Sequence, residues 1–118
     1  MTLNHVHLGT KDLKRSVEFY SQLFGFKKKF DHDPGVFLEN SAGFLIAIDP
    51  VDELPVFPSW YHLGFCLGSE QETLDMYAKC KSLGVTIVRD LMLKENQFAS
   101  FFIFDPDKNK IEVSWHNE

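Results

Sequence analysis

Two stretches of the 118-residue chain pass through the same order of events, and this repetition narrows the choice of fold more than any other feature. In the first, Leu3 to Gly9 alternates, with Leu3, His5, His7 and Gly9 on one face and Val6 and Leu8 on the other, the period of a strand. Asp12 stands where a helix cap belongs, Leu13, Val17, Tyr20 and Phe24 recur at helical spacing, and Gly25 stands where a left-handed C-terminal residue belongs. Phe26 to Phe30, Val36 to Glu39 and Gly43 to Ile48 read as three short strands, separated by the polar turn 31–35 and by Asn40-Ser41. The second stretch opens with Trp60 to Leu67, where Trp60, His62, Gly64 and Cys66 share one face. Ser69-Glu70-Gln71-Glu72 then fits a capping box for a helix carrying Leu74, Tyr77, Ala78 and Lys81, with Gly84 just beyond its end. Three further strands are predicted at Val85 to Leu91, Phe98 to Phe104 and Lys110 to Trp115, the last two joined by the tight-turn composition of 105–109.

The chain therefore reads as an α+β fold made of two tandem βαβββ modules of about 57 residues each. Its length suits one domain, 1–118, divided into a first module 1–48, a linker 49–59 containing Pro50, Pro55 and Pro58, and a second module 60–118. A unit that small is marginal alone, so the two are expected to share a core or a concave surface. Twelve Phe against 3 Tyr and 2 Trp imply a bulky apolar interior or an apolar cavity.

A formal charge of -5, from 17 acidic and 12 basic residues, argues against nucleic acid as a partner, and Lys27-Lys28-Lys29, the only basic run, reads as solvated surface. No stretch approaches the ~18 apolar residues of a membrane span, and Met1-Thr2-Leu3-Asn4 has neither a basic nor an apolar leader region. The expectation is a cytoplasmic protein with no membrane contact. Cys66 and Cys80 show no CxxC pairing, so reduced thiols are expected.

Three polar residues occupy strand positions on the face opposite the apolar stripe: His5, His62 and Glu112, the last flanked by Ile111 and Val113 on the other face. Two imidazoles and one carboxylate suit a divalent transition metal with coordination positions left open. They suit equally well two half-buried strand histidines with hydrogen-bond partners and a glutamate facing solvent. His7 shares the face of His5 at about 6.5 Å along the strand, as a general base or as a neutral pocket group. Trp60, Phe102 and Phe104 fall on the same kind of face as pocket walls, while Phe101 and Ile103 should lie under the helices. Cys66 lies about 13 Å along the strand from His62 and reads as a wall residue. His32, in a turn, and His116, near the terminus, read as surface.

These residues also carry a family resemblance. Asn4-His5-Val6-His7-Leu8 with Lys11-Asp12-Leu13, Ser16, Phe19-Tyr20 and Leu23-Phe24-Gly25-Phe26 resembles the opening of the vicinal oxygen chelate superfamily, which includes glyoxalase I, fosfomycin-resistance thiol transferases, extradiol dioxygenases and bleomycin-resistance proteins. Tyr61-His62-Leu63-Gly64-Phe65 is similar to the start of that family's second module, and the run from Phe104 to Val113 to its closing signature. The resemblance implies a cup-shaped mixed sheet with helices on its outer face, around one divalent metal (Fe, Mn, Ni, Co or Zn) held by His5, His62 and Glu112. It implies a small enzyme of the glyoxalase or dioxygenase type acting on an oxygen-bearing molecule by isomerase, lyase or transferase chemistry, with the metal as Lewis acid. The alternative it implies is a metal-free protein of the bleomycin-resistance type that sequesters a small ligand. Glyoxalase I would add a carboxylate on the fourth strand, absent from Phe44 to Ile48. A fosfomycin transferase would place anion-holding residues downstream of Glu112, where only six residues follow, and extradiol dioxygenases are commonly longer. No residue is assigned as the general base. Small members are usually homodimers, and if the modules are swapped, His5 would come from one chain and His62 with Glu112 from the other.

Overall fold

Asp12 and Gly25 bracket the first helix as their positions predict. The Asp12 side chain accepts a hydrogen bond from the Arg15 amide, and Gly25 turns left-handed at φ 68° so that its own N–H reaches the Ser21 carbonyl. Around that helix a computed structural model, which describes all 118 residues, shows β1 (His5–Thr10), α1 (Leu13–Phe24), β2 (Lys27–His32), β3 (Gly35–Glu39) and β4 (Leu45–Pro50). The second half repeats the order as β5 (Leu63–Cys66), α2 (Glu70–Ser82), β6 (Ile87–Lys94), β7 (Phe98–Phe104) and β8 (Lys110–His116). Each half is a βαβββ module with its own mixed sheet, ordered β1-β4-β3-β2 and β5-β8-β7-β6. In both, the first and last strands pair in parallel and the others antiparallel. The chain divides into two compact units, Met1–Val56 and Phe57–Glu118. No helix is long and apolar enough to cross a membrane.

Each sheet buries one face under its helix. In the first unit Leu8, Val36, Leu38, Ile46 and Ile48 are buried along with Tyr20, Leu23 and Phe26, and in the second Ala99, Phe101, Ile103, Ile111 and Val113 are buried on the strands against which α2 packs. Phe101 and Ile103 thus lie under α2, as strand parity predicts. The buried lines of the helices differ from the expected ones. In α1 the line runs Ser16, Tyr20, Leu23, with Leu13, Val17 and Phe24 half-buried beside it. In α2 it runs through Thr73 and Cys80, while Ala78 and Lys81 are exposed. Thr73 is buried at little cost because its hydroxyl donates to the Ser69 carbonyl at 3.1 Å, a local bond that hydrophobic periodicity does not register.

Several strand limits also move. β4 runs on to Pro50, taking Asp49 and Pro50 out of the expected linker. β5 covers four residues rather than eight, because the Tyr61 amide closes a turn onto the Pro58 carbonyl and keeps Trp60 and Tyr61 off the ladder. Trp60, expected on a strand face, is 72% exposed in that turn and meets Tyr61 edge-on. β6 begins two residues late and carries two register shifts around Arg89.

Gly35 marks the closest backbone approach in the first unit. A Cβ there would lie 1.9 Å from Asp49 Oδ1 and 2.1 Å from the Ile48 carbonyl oxygen. Gly35→Ala is therefore expected to cost about 1–3 kcal/mol, read as a lowered urea midpoint. Gly64→Ala, where a Cβ meets nothing within 4 Å, should stay within about 0.5 kcal/mol of wild type.

Both cysteines are free, Cys66 exposed and Cys80 buried in α2. Burial pushes the Cys80 thiol from its ordinary 9.0 up to about 11. Folded chains then hold a proton that unfolded chains release, so this group's contribution to stability is complete below about pH 9 and is lost as the pH rises towards about 11. A thiol reagent at pH 8 should modify Cys66 alone in the native protein and both cysteines after unfolding. Two equivalents consumed at once by the native state would contradict the burial of Cys80.

Candidate metal centre

Glu112 sits in the middle of β8, with Ile111 and Val113 buried on the opposite face. It pairs with Phe102 on one side and Gly64 on the other. Glu112 Oε2 accepts a hydrogen bond from Ser100 Oγ at 2.7 Å, and Ser100 Oγ in turn accepts one from Arg89 Nη2 at 2.7 Å. The other oxygen, Oε1, lies 3.4 Å from His62 Nε2.

His62 stands one residue ahead of β5, held by the turn before it. Its Nδ1 lies 2.9 Å from the Trp60 carbonyl oxygen. A carbonyl only accepts, so Nδ1 carries the hydrogen and a neutral His62 points the lone pair of Nε2 at the carboxylate. Two electron-pair donors then face each other, an arrangement that favours a cation between them. The ring stands edge-on to Phe102, centroids 4.9 Å apart. Over the same phenyl ring lie the Arg89 guanidinium at 4.7 Å and the Lys110 ammonium at 5.7 Å. Phe104, on the same face of β7, pairs with Lys110 at the strand's end.

In the first unit, His5 opens β1 and its Nδ1 lies 2.8 Å from Asn4 Oδ1, which leaves Nε2 uncommitted. Both histidines thus present Nε2 with Nδ1 held by an oxygen, the arrangement in which a ring nitrogen serves as metal ligand. Nitrogen from two imidazoles and oxygen from one carboxylate fit a divalent transition ion. His62 and Glu112 belong to one unit and His5 to the other, and the structure gathers no group of three or more metal-ligating side chains.

His7 Nε2 meets Asp49 Oδ2 at 2.6 Å, and the ring is 61% exposed. The fourth strand therefore does carry a carboxylate, one residue beyond the run in which it was sought, and its contact is with His7. His116 lies against Phe98 and His32 against Phe37, each within the sheet of its own unit. Cys66 pairs with Ser114, two residues along β8 from Glu112.

Sequence reasoning missed Ser100 and Arg89. Ser100 was within reach, since alternation in β7 puts it on the face of Phe98 and Phe102. Arg89 was not, because the register shifts of β6 break the alternation around it. Arg89 and Lys110 are the two basic groups that lie over the ring of Phe102.

A family model described as the Glyoxalase/Bleomycin resistance protein/Dioxygenase superfamily matches residues 2–113. Among curated proteins, the metallothiol transferase FosB of Lysinibacillus sphaericus is 28% identical over 114 residues, spanning 94% of this chain and 79% of the relative. The glutathione transferase FosA of Serratia marcescens is 28% identical over 117 residues, spanning 95% and 79%. Among solved structures, the fosfomycin resistance protein FosX of Listeria monocytogenes superposes with a TM-score of 0.84 at 22% identity, covering 99% of this chain and 94% of that one. The same protein, solved complexed with Mn(II) and sulfate ion, gives a TM-score of 0.82 at 22% identity over 98% and 90%.

Proposed function

Since the chain belongs to the glyoxalase/bleomycin resistance protein/dioxygenase superfamily, we propose that it is a metal-dependent transferase in which His5, His62 and Glu112 hold one divalent transition ion. The observation that carries this reading is the convergence of His62 Nε2 and Glu112 Oε1 at 3.4 Å, with the second polar atom of each side chain already engaged. A divalent ion, when bound, supplies Lewis-acid polarisation of a substrate oxygen. The chain's own residues do the rest. Trp60 fixes the tautomer of His62 through its carbonyl, Phe102 supplies an apolar wall, and Arg89 and Lys110 place two positive charges beside it. That surrounding suits a small oxygen-bearing molecule with an anionic group.

The names of the curated relatives favour transfer of a thiol, and of the isomerase, lyase and transferase chemistries we take transfer as the reading. The three ligands come from both units, of one chain or of two in a swapped homodimer. Mixing His5→Ala with Glu112→Gln chains would restore metal binding only in the swapped case. For the activity, Mn(II)-loaded protein is incubated with fosfomycin and glutathione or another low-molecular-weight thiol, and the products are weighed by mass spectrometry. A thiol–fosfomycin adduct that requires Mn(II) and disappears in Glu112→Gln is expected. Fosfomycin recovered unchanged with every thiol would overturn this substrate pair.

A further inference from the structure

Ser100 is 5% exposed in β7, between Ala99 and Phe101, both fully buried. A hydroxyl in that position costs stability unless both its roles are used. Here both are: it accepts from Arg89 Nη2 and donates to Glu112 Oε2, each at 2.7 Å. Arg89 is itself held, with Nη1 3.2 Å from the Asp90 carbonyl oxygen and its plane over Phe102. A guanidinium only donates, so the direction of the chain is fixed: Arg89 to Ser100, Ser100 to Glu112. The single hydroxyl proton of Ser100 is thereby committed to Glu112 Oε2, and the carboxylate is left to present Oε1 towards His62.

We propose that Ser100 and Arg89 are positioning residues that hold Glu112 as a one-oxygen metal ligand. This rests on the metal-centre reading above. Without the hydroxyl the carboxylate can rotate about its terminal torsion, which has a broad minimum, and the orientation shared with His62 is lost. Without the guanidinium, the hydroxyl is free to turn away, and the same loss follows.

The test is Mn(II) binding, read from the electron-paramagnetic-resonance signal of the free ion, in wild type, Ser100→Ala, Ser100→Thr and Arg89→Met. Ser100→Ala and Arg89→Met are expected to weaken binding about 10–100-fold, the usual cost of losing an outer partner of a ligand. Ser100→Thr, which keeps the hydroxyl, should stay within about threefold of wild type. Val113→Ala serves as the comparison: it removes buried carbon from the same sheet, lowers stability, and should leave Mn(II) affinity unchanged. Wild-type affinity in Ser100→Ala while His62→Ala has lost Mn(II) would overturn the positioning role and leave the metal centre standing. A wild-type protein that binds no Mn(II) would remove both.

Discussion

Replacing His62 with alanine is expected to strip the protein of its metal while leaving the fold intact. The substitution deletes the Nε2 donor that faces Glu112 Oε1 at 3.4 Å and leaves the carboxylate without its partner in the second unit. Losing an outer partner of a ligand costs about 10–100-fold in affinity, and losing the ligand itself should cost more, enough for the ion to be lost on gel filtration. The side chain is 35% exposed, so the unfolding midpoint should move by no more than about 0.5 kcal/mol. Glu112→Gln keeps the shape and the bond from Ser100 but removes the charge, and should show the same loss. Metal content by inductively coupled plasma mass spectrometry, with urea unfolding alongside, separates the two effects. A His62→Ala protein that keeps its ion would remove His62 from the ligand set.

The largest effect on stability is expected at Phe101. Its ring is fully buried, meets Tyr77 edge-on with centroids 5.2 Å apart, and lies on β7 opposite Val113 of β8. Truncation to alanine removes most of the side chain from the middle of a sheet that cannot close over the gap, a loss of about 3–5 kcal/mol. Against the 5–15 kcal/mol typical of folded domains, that is a large share of the whole margin. Phe102→Ala, one residue along on the other face, should cost far less because Phe102 is half-buried. A urea midpoint for Phe101→Ala within about 1 kcal/mol of wild type would show that β7 turns its other face inward.

The contrast between Phe101 and Phe102 shows what kind of information the sequence carries. Strand alternation is local and strict, so β7 and β8 could be read with their faces, and Glu112 could be placed opposite Ile111 and Val113. Helix ends were legible for the same reason: the Asp12 and Ser69 caps bond to amides three residues away. Where a long-range or irregular contact decides, the reading failed. Trp60 lost its expected strand position to a turn closed on Pro58, and the same turn, through the Trp60 carbonyl, sets the ring of His62. The buried line of α2 contains Thr73, whose hydroxyl is satisfied within its own turn. Arg89 reaches Ser100 from a bulged strand whose register no alternation rule could supply. Asp49 lay one residue beyond the predicted end of β4, and its pairing with His7 went unseen.

The excess of phenylalanine divides accordingly. Phe26 and Phe101 fill the two cores, whereas Phe30 and Phe37 stack on each other with centroids 4.7 Å apart, Phe30 well exposed. Phe102 takes a third role, as the ring shared by His62, Arg89 and Lys110.

A three-ligand metal centre is read out by the metal content of the protein itself. Protein produced without a histidine tag and purified without chelator is analysed by inductively coupled plasma mass spectrometry, before and after equilibration with Mn(II), Zn(II), Fe(II), Co(II) and Ni(II). One divalent ion per chain, absent from His5→Ala, His62→Ala and Glu112→Gln alike, is the expected result. A wild-type chain that carries no metal and takes up none of the five would contradict it, and would leave the metal-free sequestering protein as the reading of the same residues.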